Sequence, residues 1–254
     1  EPFKRMLFNG KVMASDGSAF SKSKGNGIDP LEIIESGYGA DALRTYLMFA
    51  APLDFSVRWD PQGVPGTHRF LSRLWNLVQE YLEASEKEID TSQQKEIKRL
   101  THSMIFKMTK DLEDNAYNTA IATAMGTLNE FYRLKAQELH KNNTWQEALE
   151  AIVACVAPFA PHIAEELWHQ LGHIKSVHTD TWPDWDNSLL VSDTMTIVIQ
   201  VNGKVRANIE IPSDANEKTI LEAAKANEKV ASYITGHSIK KEIYVPKKLV
   251  NFVV

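Results

Sequence analysis

The sequence predicts a multidomain, mostly α protein in which an antiparallel helical bundle precedes a small α+β domain. Three changes of pattern along the 254 residues lead to this prediction. Residues 1–65 are rich in Gly, Pro, Ser and Asp, with short apolar runs between them, which is typical of loops and brief strands. Residues 66–178 repeat their apolar side chains with a helical period. Residues 194–254 open with alternating apolar and polar residues, which is typical of strands.

The first segment contains one clear helix, predicted for residues 41–50. Leu43, Tyr46, Leu47 and Ala50 recur there at the spacing that places them on one helix face. The rest of the segment is predicted to form loops with brief strands.

Five amphipathic helices are predicted between residues 66 and 171. Their connections are short, and short connections favour antiparallel neighbours in a bundle. Prolines at 158 and 161 end the fourth helix, and Gly172 ends the fifth. The Met and aromatic residues of the stripes are predicted to be core. The stripes of the first four helices contain Phe70, Leu74, Leu77, Val78 and Tyr81; Ile97, Leu100, Met104, Ile105, Met108 and Leu112; Ile121, Met125, Leu128, Phe131 and Tyr132; and Trp145, Leu149, Ile152, Val153 and Val156.

The last segment is predicted to have the order ββααββ. Asn202-Gly203 between two alternating runs is a strong signal for a two-residue hairpin. Asp214 and Glu217 have the spacing of a capping box and are expected to open the first helix. Residues 179–193, which contain Trp182, are predicted to be an irregular linker. The predicted elements are strands at 195–201 and 204–211, helices at 214–226 and 229–234, and strands at 239–245 and 249–254.

Composition narrows the protein class. No apolar run is long enough to cross a bilayer, so no membrane association is expected. The lone cysteine, Cys155, can form neither an internal disulfide nor a cysteine-cluster zinc site, and it is expected in the core of a protein of the reducing cytoplasm. The chain starts at Glu1 with no signal-peptide pattern. It is expected to be a piece of a longer chain.

The net charge of −5 is unevenly distributed. Residues 195–254 contain nine Lys or Arg and six Asp or Glu, which gives +3, so the remainder carries −8. A basic end on an acidic body favours a polyanionic partner at that end. Solvated surface lysines are the alternative.

One segment has the composition of a phosphate-binding loop. Residues 19–27 read Ala-Phe-Ser-Lys-Ser-Lys-Gly-Asn-Gly, which combines two lysines with small neighbours and two glycines. Backbone N–H groups and ammonium groups of such a loop suit a polyphosphate. A lysine that reaches the phosphates of ATP lowers a barrier because its attraction grows as negative charge develops in the transition state. On composition alone, an ordinary solvated loop is the alternative.

Three motifs resemble class I aminoacyl-tRNA synthetases. Residues 21–26, Ser-Lys-Ser-Lys-Gly-Asn, resemble the Lys-Met-Ser-Lys-Ser signature of that family and the residues that follow it. Residues 38–44, Tyr-Gly-Ala-Asp-Ala-Leu-Arg, look like the segment after this loop in the leucyl, isoleucyl, valyl and methionyl members. Residues 157–168 look like the bundle signature of the same group. The motifs occur in the family's order, and the resemblance covers essentially the whole chain.

Further segments are similar to the leucyl branch of bacterial type. They are residues 48–52, 63–70, 201–206 and 245–251. The resemblance implies the carboxy-terminal part of an enzyme that activates leucine with ATP and transfers it to tRNA(Leu). Residues 1–65 would end the catalytic domain, 66–178 would form an anticodon-binding-type bundle, and 194–254 would form a small tRNA-binding domain. A valyl or isoleucyl identity is the alternative within the family, and residues 201–206 argue against it.

The resemblance also implies roles for individual residues. Lys22 is expected to bind the ATP phosphates, with Ser21 and Ser23 as catalytic-loop residues and Lys24 and Gly25 as further ATP-binding residues. Ala19-Phe20 stands where the family has Lys-Met, so the first lysine of the signature is missing. The tRNA-binding candidates are Lys204, Arg206, Lys240, Lys241, Lys247 and Lys248.

The sequence lacks the other motifs and domains that an aminoacyl-tRNA synthetase needs for activity. No His-Ile-Gly-His-like motif, nucleotide-binding half sheet, editing domain or leucine pocket is visible. ATP with Mg²⁺ and leucine would therefore bind through an upstream domain, and this piece alone is expected to be inactive, to bind no cofactor and to be monomeric. A non-catalytic tRNA-binding module that retains the loop is the other functional class. His162, Glu165, Glu166 and His169 share one helix face, but no second helix offers matching ligands, so no metal site is expected.

Overall fold

Helices form most of the first three quarters of the chain, and the main sheet lies in the last quarter. The computed structural model describes residues 2–4, 6–136, 139–190, 194–212, 215–236, 238–246 and 248–254. The chain separates into two units, Glu1–Leu190 and Val191–Val254. The mostly α class and the small α+β tail are confirmed, whereas the division into four segments stays a prediction. None of the described helices is long and apolar enough to cross a membrane.

The described elements follow the predicted order closely. A π-helical segment, Ile34–Tyr38, joins the first two helices, and 3₁₀ turns occur at Lys22–Lys24, Val177–Thr179 and Asn187–Leu190. The elements are β1 (Val12–Met13), α1 (Pro30–Ile33), α2 (Gly39–Phe49), β2 (Val57–Arg58), α3 (Gly63–Glu83), α4 (Thr91–Glu113), α5 (Tyr117–Lys135), α6 (Asn143–Val156), α7 (Pro161–Gln170), β3 (Thr194–Val201), β4 (Lys204–Pro212), α8 (Glu217–Ala226), α9 (Glu228–Ile234), β5 (Lys241–Val245) and β6 (Leu249–Val253).

The core of the first unit consists of the predicted helix stripes. Leu74, Leu77, Leu128 and Leu149 are completely buried. Burial of each such side chain stabilises the fold by about 1.5–3 kcal/mol relative to an exposed one. Cys155 is also completely buried, and burial raises the pKa of its thiol to about 12. The thiol therefore behaves as a small apolar group of the core.

Local capping residues determine where several helices begin. The Asp90 carboxylate accepts hydrogen bonds from Ser92 N and Gln93 N at the start of α4. The capping box predicted for α8 is wrong in its register. The helix begins at Glu217 itself, because the Asn216 side chain caps it by accepting from Thr219 N at 3.0 Å. Asp214 lies outside the described residues.

Four strands of the second unit form one sheet in the order β4-β3-β6-β5. β3 and β6 are parallel, and the other pairs are antiparallel. Asn202 and Gly203 have φ angles of 51° and 75°, as a type I′ hairpin turn requires. The apolar side chains of α8 and α9 pack against one face of the sheet, where Ile199 and Phe252 are completely buried.

A small parallel pairing of β1 with β2 supports the start of the lysine-containing loop. Gly10 N–H donates to Leu53 O at 2.7 Å, and Trp59 N–H donates to Met13 O at 2.8 Å. A Cβ at Gly10 would lie 2.0 Å from Phe55 O, so no larger residue fits there without movement of the backbone. This close approach holds the segment before the loop, residues 10–13, against the segment that contains β2.

Candidate functional site

The loop predicted to bind ATP is closed by one asparagine. Asn26 Oδ1 accepts from Ser21 N at 2.8 Å, and Asn26 Nδ2 donates to Ser18 Oγ at 3.1 Å and to Ala19 O at 3.2 Å. These three hydrogen bonds tie the two ends of residues 18–26, here called the lysine loop. Asn26 belongs to the family-like motif at residues 21–26, but no spacing in the sequence predicts these three hydrogen bonds.

Both lysines of the loop are exposed on a single 3₁₀ turn. Lys22 and Lys24 are its first and last residues, and no side chain of the turn is buried. Ser21 Oγ and Ser23 Oγ lie 2.8 Å apart and share a hydrogen bond. Gly25 follows with φ of 63°, a left-handed conformation that favours glycine. The arrangement presents two ammonium groups to a ligand from solvent.

The Asp16 carboxylate lies just before the lysine loop. Ser18 N donates to Asp16 Oδ1 at 2.8 Å, and this hydrogen bond, with further help from the charge of Lys24, lowers the pKa of the Asp16 carboxyl. Ala19 occupies the position of the missing first lysine, and its backbone pairs with Met13. The loop backbone is therefore held at that position, but the side chain is only a methyl group.

Asn26→Ala is expected to loosen the lysine loop without unfolding the chain. Loss of a net hydrogen bond of about 1–1.5 kcal/mol should accelerate amide exchange at Ser21 roughly tenfold. Hydrogen exchange followed by NMR measures this directly. Asn26→Asp keeps the acceptor for Ser21 N–H and should restore most of the protection. Unchanged exchange at Ser21 in the alanine variant would show that the clamp does not order the loop.

A second arrangement, absent from the sequence prediction, lies where α2, α3 and α7 meet. Asp41 of α2 contacts the start of α7 through Ile163 N and His162 Nδ1. Beside this contact is a cavity of about 560 Å³ whose lining includes Tyr38, His68 and Trp75. The sequence does contain a signal for this contact. Asp41 lies in the family-like motif at residues 38–44, and His162 and Ile163 lie in the one at residues 157–168.

The predicted tRNA-binding cations separate into two places. Lys204 and Lys241 lie at one end of the sheet, since Lys204 pairs with Val201 and Lys241 pairs with Val253, and Lys240 immediately precedes Lys241. Lys204 and Lys241 are on opposite edge strands, about 14 Å apart at three strand spacings. Lys248 lies at the other end, where its carbonyl accepts from Val198 N. Lys247 lies outside the described residues.

Arg206 differs from the lysines because its side chain packs against a tyrosine ring. Its guanidinium lies 4.0 Å from the centre of the Tyr233 ring, and Arg206 Nη1 donates to Tyr233 Oη at 3.2 Å. Arg206 Nε is buried and has no hydrogen-bond partner within the described structure. Replacement of Arg206 would therefore change the packing as well as the charge.

The polar face of α7 is engaged in local contacts. Glu165 Oε2 accepts from Ser176 Oγ at 2.9 Å and from Val177 N at 3.0 Å. Burial alone would raise the pKa of Glu165, but these hydrogen bonds lower it overall. His169 Nδ1 lies 2.8 Å from His173 O. Within the described ranges, no group of three or more His, Cys, Asp or Glu side chains could hold a metal ion.

Comparison with protein families yields two matches. Residues 94–221 match the family described as the anticodon-binding domain of tRNA ligase. Residues 1–60 match the family described as class I tRNA synthetases for I, L, M and V. The first match extends past Leu190, through the first hairpin of the second unit and into α8.

Whole-chain relatives are leucine–tRNA ligases. The chain is 40% identical to that of Syntrophobacter fumaroxidans and 42% identical to that of Alcanivorax borkumensis, with 100% of this chain and 32% of each relative covered. It thus spans about a third of the length of the curated relatives it matches. Among solved structures, it is similar to Agrobacterium radiobacter LeuRS in a ternary complex with tRNA and LeuAMS, at 31% identity and a TM-score of 0.75 over 100% of this chain and 33% of that one.

A more distant structure shares the fold alone. Mycobacterium tuberculosis methionyl-tRNA synthetase bound by methionyl-adenylate matches at 14% identity and a TM-score of 0.52. The match covers 64% of this chain and 37% of that one.

Proposed function

Because the chain belongs to the tRNA ligases that carry this anticodon-binding domain, we propose that it is the carboxy-terminal part of a leucine–tRNA ligase. The whole enzyme activates leucine with ATP and transfers it to tRNA(Leu) in the cytoplasm, as a monomer. Residues 1–65 are the end of its catalytic domain, and residues 66–178 are its anticodon-binding-type bundle. Residues 179–193 are a linker to the tRNA-binding domain at 194–254.

The observation that carries the proposal is the exposed cationic turn on the same unit as the helical bundle. In leucine activation, the leucine carboxylate attacks the α-phosphate of ATP and pyrophosphate leaves. Lys22 places its ammonium group at the phosphates, where its attraction increases as charge accumulates on the leaving group. Ser21, Ser23, Lys24 and Gly25 shape the turn and add donors. Mg²⁺ bound to ATP would neutralise part of the phosphate charge.

The tRNA is held mainly by the bundle and the small domain. Lys204, Lys240 and Lys241 at one end of the sheet contact phosphates, and Lys248, with Lys247 beside it in sequence, contacts a second stretch of backbone. Arg206 contributes charge from its position on Tyr233. Phosphate contacts orient an RNA without reading its bases, so these residues recognise the shape of tRNA.

Exposed apolar side chains in the first 55 residues support the need for an upstream half. Eight large apolar side chains in the first 55 residues are exposed among those described, including Phe8 at 74% and Phe55 at 63%. Exposed patches of this kind mark interaction surfaces. We expect the nucleotide-binding half of the ligase to pack on these side chains. They are Phe3, Met6, Leu7, Phe8, Leu31, Leu47, Phe49 and Phe55.

The second candidate is a non-catalytic tRNA-binding module. It is favoured by one observation, the alanine that replaces the first signature lysine. A valyl or isoleucyl ligase part is less well supported, because the whole-chain relatives named above are leucine–tRNA ligases.

A hybrid enzyme distinguishes these candidates. The carboxy-terminal third of the Syntrophobacter fumaroxidans ligase is replaced by this chain, and leucylation of tRNA(Leu) is measured. We expect activity within about tenfold of the parent enzyme, and none from this chain alone. A folded hybrid that binds tRNA(Leu) but neither exchanges pyrophosphate nor charges tRNA would support the non-catalytic module. Preference of this chain for tRNA(Val) or tRNA(Ile) would contradict the leucyl assignment.

A further inference from the structure

The Asp41 carboxylate joins two parts of the first unit that are far apart in sequence. Asp41 Oδ2 accepts from Ile163 N at 2.8 Å, and Asp41 Oδ1 lies 2.7 Å from His162 Nδ1. The Asp41 side chain is only 12% exposed. Both carboxylate oxygens are thus used at the start of α7, although Asp41 belongs to α2.

α7 has no capping side chain of its own. Ala160 precedes the helix and offers no acceptor, and Pro161 at the first position has no N–H. The next free N–H groups of the first turn need acceptors from elsewhere. Asp41 supplies the acceptor for Ile163 N–H, and its negative charge suits the positive end of the helix dipole. α2 therefore completes the start of a bundle helix.

α2 is connected in turn to the root of the lysine loop. Tyr46 Oη, on α2, accepts from Asp60 N at 2.9 Å, two residues after β2. β2 pairs with β1, and Met13 of β1 forms the bridge to Ala19 at the start of the loop. A continuous series of contacts thus leads from α7 through Asp41, α2 and β2 to the lysines.

Among the described residues, the hydrogen bonds of Asp41 to the start of α7 are the shorter polar contacts that α2 makes with this region. The other link toward this region, from Arg44 Nη2 to Pro158 O, is 3.4 Å long. Thr67 Oγ1 donates to Ala42 O at 2.8 Å and fixes α2 on α3 instead. Loss of Asp41 would leave α2 attached to α3 but without its polar contact to the start of α7.

We propose that Asp41 is a positioning residue of the ligase, which holds the lysine loop in register with the tRNA-binding bundle. This inference rests on the proposed function. Lys22 acts only if it meets the phosphates in the transition state, and misplacement of a group by about 1 Å costs up to roughly a hundredfold in rate. Asp41 itself touches no substrate. Its effect on the reaction passes through Lys22.

The test uses full-length ligase with Asp41→Ala, Asp41→Asn and the matched control Asp29→Ala. Asp29 caps α1 in the same way, by accepting from Leu31 N at 2.9 Å, but it bonds only within its own segment. Single-turnover leucyl-adenylate formation, KM for leucine and thermal unfolding by circular dichroism are measured for each variant.

We expect Asp41→Ala to slow adenylate formation roughly tenfold or more with KM for leucine unchanged. Asp41→Asn should stay within about threefold of the wild type, since its Oδ1 can still accept from Ile163 N–H. Asp29→Ala should stay within about twofold. In a Lys22→Ala background, Asp41→Ala should add little, because both changes remove the same contribution.

Two outcomes would overturn the inference. The first is a folded Asp41→Ala ligase with adenylate formation within twofold of the wild type. The second is an Asp41→Ala effect of full size in the Lys22→Ala background, which would make Asp41 a cap of α7 only. If Asp41→Ala does not fold, His162→Ala replaces it, since that change removes only the contact to Asp41 Oδ1. Its effect on adenylate formation is then compared with and without Lys22→Ala. Absence of leucine-dependent pyrophosphate exchange in the wild-type enzyme would instead contradict the proposed function.

Discussion

Full-length ligase carrying Lys22→Ala is expected to form leucyl-adenylate about a hundredfold more slowly than the wild type. The reason is that Lys22 is exposed at the start of the 3₁₀ turn in the lysine loop. Its ammonium group interacts with phosphates chiefly when the leaving pyrophosphate gains charge. Binding of tRNA(Leu) should be nearly unchanged, since the contact is to ATP. Leucine-dependent pyrophosphate exchange and filter binding of tRNA measure the two effects separately.

Lys24→Ala is the matched control, because Lys24 lies on the same turn and is also exposed. It should reduce exchange much less than Lys22→Ala. If Lys22→Ala leaves exchange within about threefold of the wild type, the assignment of Lys22 to the phosphates is wrong. A larger effect of Lys24→Ala than of Lys22→Ala would transfer that role to Lys24, as compensation for the lysine missing at Ala19.

Charge reversal at one end of the small sheet is expected to weaken tRNA binding at least about tenfold at moderate salt. The change is Lys204→Glu with Lys241→Glu, since these exposed lysines lie on the two edge strands at the same end. Each phosphate contact releases counterions, so the log–log salt slope should fall in magnitude by about two. Fluorescence anisotropy with labelled tRNA over a salt series measures both quantities.

Arg206 is left unchanged in this experiment because it covers the Tyr233 ring and its loss would disturb the fold. Lys218→Glu with Lys229→Glu, on α8 and α9, makes the same change of net charge in the helical layer and should alter the slope little. Circular dichroism checks that both variants fold. Equal losses in the two double variants would indicate a general charge effect, and affinity independent of salt would remove the tail from the tRNA interface.

The helices and the hairpin of this protein could be predicted from sequence because their causes are local. Leu74, Leu77 and Val78 recur at helical spacing, and a helix that buries them follows from that spacing alone. Asn202 and Gly203 tolerate the positive φ angles that a two-residue hairpin requires. The lysine loop was predicted as a cationic loop in the same way, from small and cationic residues that are adjacent in the chain.

The start of α8 shows where local reasoning stops being sufficient. Two polar residues could cap that helix, and spacing alone favoured Asp214 with Glu217. Asn216 provides the cap by accepting from Thr219 N–H, and the helix that follows buries Ile220 in the core of the second unit.

The sequence by itself determined the order of elements and the cationic loop, because each depends on residues within a few positions of one another. It also determined the basic tail, because net charge is a matter of composition alone. Only the tertiary structure decided that Asp41 caps a helix that begins 120 residues later, that Arg206 rests on Tyr233, and that Lys248 lies at the opposite end of the sheet from Lys204. Those partners are chosen by how helices and strands pack. No periodicity or spacing along the chain encodes which side chain will meet a free N–H group or a ring in the folded protein.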